Sequence, residues 1–212
     1  MAGGLGSGKT EIALNMAFRA KDKRPLLADL DVVNPYFCSR EMEDLLNDSG
    51  IEFIGPSKDR RLTDVPFIPP QIIGCLKAGR PMVLDVGGDE VGCAVLGYLS
   101  PYISVREYKM YLVLNPYRPF ADRLEKVVEL KEKLEKASRL RFKAVISNPN
   151  LNVATDVEAV LEGHATVKAF AAELGLPLAF LCVDEFLANA VRDMVWENVF
   201  PLKIYLRPQW LY

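Results

Sequence analysis

The sequence predicts a three-layer α/β fold built on a mostly parallel, doubly wound sheet. Two observations carry this. Runs at 25–30, 51–54, 81–86, 109–114, 142–147 and 178–183 are short, apolar and nearly continuous, as parallel strands buried on both faces are. Helical patterns at 10–20, 39–47, 70–78, 120–137 and 153–174 alternate with them, so the chain reads as successive right-handed strand–helix–strand units. A third observation sets the scale. The 212 residues contain no repeat, linker or low-complexity segment, and residues 1–212 read as a single domain.

The clearest amphipathic helix is 120–137. Leu124, Val127, Val128, Leu130 and Leu134 share one face, and Glu125, Lys126, Lys131, Glu132 and Lys133 largely fill the other. The pattern at 153–174 is expected to break near Gly163. The Pro- and aromatic-rich tail from residue 200 onward reads as an edge strand, a packed arm or a partner contact, with packing on its own domain as the default.

Composition narrows the function classes. Half the residues are hydrophobic and a quarter charged, with a net charge of −2. That balance argues against global disorder. It also provides no bulk attraction to nucleic acid or anionic lipid, so direct binding to either is not expected. The small basic clusters at 21–24 and 58–61 read as solvated loops. Cys38, Cys75, Cys93 and Cys182 form no CxxC pair, which suits reduced thiols better than a disulfide frame or zinc site. His164 is the only histidine, which removes most histidine-based metal and triad chemistry. No leader pattern and no bilayer-length apolar run is visible, and a cytoplasmic location is expected.

The chemistry is concentrated at the start of the chain. Residues 3–10 read G-G-L-G-S-G-K-T and match the P-loop pattern G-x-x-x-x-G-K-[ST] in full. Gly3, Gly4, Gly6, Ser7 and Gly8 supply a backbone that can wrap a phosphate with its N–H groups turned inward. The following helix adds the positive end of its dipole. Lys9 reaches the β- and γ-phosphates, Thr10 ligates Mg²⁺ through its hydroxyl, and Glu11 follows in the first helical turn. The fold class is therefore of the P-loop NTPase type, with ATP and Mg²⁺ as cofactors.

A P-loop normally follows a buried strand, yet only Met1 and Ala2 precede Gly3. The usual first strand is missing or truncated. Its absence is expected to leave a gap of about 4.8 Å on each side, with backbone groups unpaired. A start upstream of the recorded Met1 is the reading that removes this conflict.

Two acidic segments follow. In L-L-A-D-L-D-V-V-N-P, Asp29 and Asp31 lie at the carboxyl end of an apolar strand, where ligands collect in open α/β sheets. In P-M-V-L-D-V-G-G-D-E-V-G, Asp85 closes another such strand ahead of a glycine pair. That is the form of a Walker B carboxylate holding Mg²⁺ and leading into a switch loop. The glycines of 87–98 are read as backbone freedom for that loop. Alone, each Asp could equally be a helix N-cap. With a P-loop in the same chain, Asp31 and Asp85 become metal or water-positioning groups.

These segments resemble the MinD/ParA/CobQ–CobB family of P-loop proteins, which includes the nitrogenase iron protein. The resemblance implies that Asp31 helps to position the attacking water, that Asp85 holds the metal, and that Asp89 contributes secondarily. It departs at Gly4, where MinD- and ParA-like members carry a signature lysine that crosses a dimer. Lysine-completed activation is not expected, and a homodimer formed through other contacts stays open. Cys93 lies near the place of the iron protein's cluster ligand, but no second cysteine matches, and a buried structural thiol is the expected reading.

The base end rests on the same resemblance. Asn148, after the strand ending at Ser147, is the candidate base contact, and the alternative is a plain Asn-Pro turn. The absence of N-K-x-D favours adenine over guanine. Asp184 is placed beside the base or, equally, at a helix N-cap starting the helix 185–194. The expected function is an Mg²⁺-dependent ATPase. Its segments 31–40 and 87–98 would order and release with nucleotide and change affinity for a protein partner not named by the sequence. The alternative is a small-molecule kinase or ATP-dependent ligase of the CobB and dethiobiotin synthetase kind, with Arg40, Arg60 and Arg61 as acceptor contacts.

Overall fold

The computed structural model describes residues 1–31, 42–55 and 68–206. Among these residues seven strands form, all in parallel pairs. They are β1 (Leu26–Leu30), β2 (Glu52–Ile54), β3 (Met82–Val86), β4 (Tyr111–Leu114), β5 (Ala144–Ser147), β6 (Leu178–Asp184) and β7 (Val199–Leu202). The helices are α1 (Lys9–Arg19), α2 (Glu43–Asp48), α3 (Pro70–Ala78), α4 (Glu90–Ile103), α5 (Leu124–Ser138), α6 (Val157–Glu173) and α7 (Ala188–Arg192).

The strands group as β2-β1-β3 and β4-β5-β6-β7. Side-chain alternation along them separates two apolar layers. Leu27, Val113, Ile146 and Phe180 pack with Ile12, Ala13, Leu14 and Ala17 of α1. Ala28, Leu112, Leu114 and Val145 pack with Ile72, Leu99, Val127 and Leu134 of α3, α4 and α5. This is the expected three-layer arrangement.

Among the described residues, Met1 and Ala2 occupy the position between β3 and β4. Ala2 donates its N–H to the Tyr111 carbonyl (3.0 Å) and accepts from Val113 N–H (2.8 Å). The Met1 ammonium donates to the Leu84 carbonyl at 2.7 Å. Burial pushes its pKa down, with Asp85 pulling the other way. Beyond these contacts the half-sheets stay apart around a cleft of about 340 Å³, lined by Met16, Leu84, Leu96, Met110 and Tyr111 among others. An extended apolar segment of about five residues fused ahead of Met1 is expected to pair with both edges. Burial less ordering cost leaves a gain of roughly 2–3 kcal/mol, which corresponds to about 5–10 °C in the thermal midpoint. Calorimetry of the fused and unfused chains checks this, and an unchanged midpoint would mean that the cleft accepts no strand.

Three expectations change. The segment 87–98, read as a glycine-freed switch loop, is mostly helix α4. Two of its four glycines serve contact rather than freedom. Gly92 packs on the Gly87 backbone, where a Cβ would lie 2.5 Å from Gly87 Cα, and Gly97 sits against the Ala137 carbonyl of α5. Helix α6 runs through Gly163 without a break, because that glycine lies against Pro149, Tyr117 and Pro116 and admits their side chains. Near the end, a turn follows β6, and the helix begins at Ala188 rather than 185. The Asp184 carboxylate accepts the Phe186 N–H at 3.1 Å within that turn.

His164 is buried on α6, with Nδ1 3.0 Å from Ser147 Oγ and Nε2 3.4 Å from Glu197. These contacts tie α6 to the end of β5. Cys93 and Cys182 are buried. Burial pushes the Cys93 thiol up to about 11, as for an inert core thiol. Cys38 and the arginines Arg40, Arg60 and Arg61 lie outside the described residues. Among the described residues no helix is long and apolar enough to cross a membrane.

Candidate functional site

Residues 3–8 leave the central position and turn into α1. Gly8 is the N-cap, with φ 89° and ψ 18°, and caps with no side chain. The first-turn N–H groups of α1 therefore lack an intrahelical or capping partner, as at an anion-binding helix end. The positive φ at Gly8 is one reason for glycine there. The other is contact, since a Cβ would strike the Asn148 amide. Asn148, at the end of β5, donates its Nδ2 to the Ser7 carbonyl at 2.8 Å. The structure thus places Asn148 as a clamp on the P-loop backbone.

Lys9 is buried, and its Nζ donates to the Gly4 carbonyl at 3.1 Å. Burial lowers its pKa, with Asp85 and then Asp31 opposing that shift. Asp85 lies on β3 in register with Asp29 of β1. It is 1 % exposed, and neither carboxylate oxygen is hydrogen-bonded. Burial raises its pKa, while Lys9 and then the nearby Thr10 hydroxyl lower it. Asp31 is buried just beyond β1, donates its N–H to Asp29 Oδ1 at 3.0 Å, and lies against Gly87. Asp89 accepts the Gly92 N–H at 2.7 Å and caps α4.

Gly88 rests on the P-loop itself. A Cβ there would stand 3.0 Å from Leu5 N, 3.1 Å from Lys9 Nζ and 3.2 Å from the Gly3 carbonyl. Gly88→Ala must therefore push the 87–89 turn off the loop. It is expected to cost about 1–3 kcal/mol and to lower the thermal midpoint by roughly 2–10 °C, as followed by circular dichroism. An unshifted midpoint would show that the two loops are not packed as described.

The remaining predicted residues divide. Thr10, Glu11, Lys9, Asp31, Gly6, Gly8 and Asn148 all line one cleft of about 1420 Å³. Glu11 has a further task. Its carboxylate accepts the N–H groups of Tyr205 (2.6 Å) and Leu206 (3.2 Å). Beside it, Asn15 exchanges two hydrogen bonds with the Lys203 backbone. Residues 203–206 thus pack on α1 and set Ile204 and Leu206 in the cleft wall, while residues 207–212 lie outside the described residues. Asp184 does not line this cleft. Gly4 faces Phe120, whose Cβ would lie 2.9 Å from an added Cβ, so a side chain at this position would displace that ring.

Sequence reasoning missed the loop after β4. Asn115, Arg118 and Phe120 line the same cleft. The available signal was Asn115-Pro116 after an apolar strand, the pattern repeated at Asn148-Pro149.

The residues present fit Mg²⁺. Among the described residues no group of three or more His, Cys, Asp or Glu forms a metal cage. A phosphate-bound magnesium needs no such cage, because one or two carboxylates and a hydroxyl complete a shell otherwise made of phosphate oxygen and water. The orphaned Asp85 carboxylate beside Thr10 and Lys9 is the donor set that chemistry uses.

No family model matches the sequence, and no curated protein matches it. Solved structures do. The signal recognition particle 54 kDa protein from Aeropyrum pernix K1, in complex with GDP, is 21% identical, with a TM-score of 0.53 over 85% of this chain and 39% of that one. FtsY from Mycoplasma mycoides is 14% identical, with a TM-score of 0.58 over 86% of this chain and 58% of that one. The cell division protein FtsY from Thermotoga maritima is 20% identical, with a TM-score of 0.54 over 87% and 61%. The fold is of the P-loop NTPase type. This chain matches less than two thirds of the length of each of these proteins, and at such identity the likeness concerns the P-loop fold alone.

Proposed function

We propose that this chain binds ATP with Mg²⁺ at residues 3–10, hydrolyses it slowly, and acts as a nucleotide-driven switch for a protein partner. The observation that carries the reading is the buried Asp85, with both oxygens unbonded, set beside Lys9 and Thr10 below an uncapped helix end. An orphaned buried carboxylate is costly unless a cation completes it. A polyphosphate adds negative charge to a cleft that Asp31 lines and that has Asp85 close to Lys9, so a divalent cation is required for balance.

In this reading the backbone N–H groups of Gly3, Gly4, Gly6, Ser7 and Gly8 cradle the phosphates. Lys9 leaves the Gly4 carbonyl for the β- and γ-phosphates. Thr10 and Asp85 would hold the metal, which would supply positive charge against the charge developing on the phosphates. Asp31 orients the attacking water. Asn148 keeps the loop in shape and faces the base end, where Glu11 and the tail lie. Asp184 stands outside the cleft and is assigned no role. The motif resemblance to MinD/ParA/CobQ–CobB proteins supports the ATPase switch, with the turn at Gly87 and Gly88 as its moving part. The structural likeness to a GDP-bound protein makes guanine the base to test against adenine.

The kinase or ligase reading is favoured by one observation, the cleft volume. At about 1420 Å³ it exceeds the ~300–1,000 Å³ usual for small-molecule sites, which leaves room for an acceptor. Calorimetric titration with ATP and GTP, with and without Mg²⁺, is expected to show tight, Mg²⁺-dependent ATP binding. Phosphate release without acceptor supports the switch, and turnover only with added carboxylates supports the ligase. No triphosphate binding at all would overturn both.

A further inference from the structure

Arg118 is the unexplained cation of this cleft. It belongs to the loop after β4, far in sequence from the P-loop, yet its side chain lies on Gly6. Arg118 Nε stands 3.4 Å, Cδ 3.6 Å and Cζ 3.9 Å from where a Gly6 Cβ would be. The guanidinium therefore occupies the space that this glycine leaves, on a surface that forms the cleft wall with Gly8, Lys9 and Thr10.

Its backbone is held firmly. Asn115, 1 % exposed at the end of β4, accepts the Tyr117 N–H at 3.1 Å and donates to the Asn150 carbonyl at 2.8 Å. The Arg118 N–H closes the turn onto the Asn115 carbonyl at 3.1 Å, and the Arg118 carbonyl accepts from Ala121 at 2.9 Å. Tyr117 Oη donates to the Ala159 carbonyl of α6 at 2.6 Å. The loop is pinned at both sides, so the side chain is delivered to one place.

The head group is not pinned. Arg118 Nε is buried without a hydrogen-bond partner, and among the described residues no carboxylate pairs with the guanidinium. Arg118 as a whole is half-buried, but a buried Nε–H without an acceptor is unusual and marks a position open to one. A planar fork of N–H donors matches phosphate oxygens in pairs.

We propose that Arg118 is a phosphate-binding residue, supplied in cis, that donates to the polyphosphate of the nucleotide held on the P-loop. The assignment rests on the nucleotide reading above and deepens it. Lys9 approaches from inside the loop, and Arg118 covers the loop from the cleft wall at Gly6. The polyphosphate is gripped from two sides without a signature lysine at Gly4, a position closed by Phe120.

The test compares ATP, ADP and AMP binding to the full chain and to Arg118→Ala and Arg118→Lys by calorimetry. Removing charge-assisted donors is expected to weaken ATP and ADP about 10- to 100-fold and to leave AMP within about threefold. Lysine keeps the charge but loses the fork, so an intermediate loss is expected. Unchanged thermal midpoints show that the variants are folded. Should a midpoint fall, the ATP-to-AMP affinity ratio within each variant still reports the contact. Equal losses for AMP and ATP, or no loss for any ligand, overturn the proposal and leave the nucleotide reading standing. A wild-type chain that binds no triphosphate overturns both.

Discussion

Lys9→Ala is expected to reduce ATP affinity by at least about 100-fold, the largest single effect on binding at this site. Lys9 is the cation that the P-loop surrounds, and among the described residues its ammonium donates to the Gly4 carbonyl. That bond is exchanged for phosphate oxygens on binding, and charge-assisted contacts of this kind carry about 1.5–3 kcal/mol each, so losing two of them gives the stated factor. The same change removes a cation that interacts with both Asp85 and Asp31. Breaking a buried charge set by removing one member usually destabilises. Here, protonation of Asp85, already favoured by burial, limits the damage. Calorimetric titration with ATP and Mg²⁺ checks the prediction, with the thermal midpoint measured alongside. A variant that binds within about threefold of wild type would remove the P-loop lysine from the account.

Asp85→Asn is expected to separate stability from activity. The substitution keeps the shape and removes a carboxylate that is buried with neither oxygen hydrogen-bonded. Relief of that burial offsets the new amide's unmet needs, so the metal-free protein should hold its midpoint or gain about 1 kcal/mol. Mg²⁺-dependent phosphate release should fall about 100-fold or more, because the metal loses its protein carboxylate. The mid-range of an Mg²⁺ titration should shift to higher concentration by a comparable factor. Turnover that survives together with a large fall in midpoint would show that Asp85 is a structural group instead.

The fold was legible because its signals are local. Continuous apolar runs mark strands such as Tyr111–Leu114 and Ala144–Ser147 wherever they lie in the sheet. Pro70 starts α3 at the expected residue. The segment 87–98 shows the limit. Four glycines in it read as freedom, but two are packing surfaces against Gly87 and Ala137. A glycine needed for close approach and one needed for flexibility are the same letter.

The candidate site divides the same way. The glycine-rich loop and the carboxylates proposed to serve it lie in short motifs, where each residue type answers a neighbouring demand. Lys9, Thr10, Asp31 and Asp85 stood out because Coulomb balance around a polyphosphate would need such groups near those strand ends, and the structure brings Lys9, Thr10 and Asp31 to one cleft with Asp85 close to Lys9. Asn148 was readable as a site residue, while its bond to Ser7 was not. Arg118 and the tail at residues 204–206 were invisible, because nothing in their own sequence says what they face.

By itself, then, the order of residues determined the parallel α/β layering and the glycine-rich P-loop ahead of α1. Those follow from periodicity and from steric demands spanning a few residues. Only the tertiary structure decided that Ala2 pairs with β4 while the Met1 ammonium reaches β3, that Asn148 holds the P-loop, and that Arg118 covers Gly6. Those depend on crossover connections that bring residues far apart in the chain within reach of one another, a distance that no local pattern encodes.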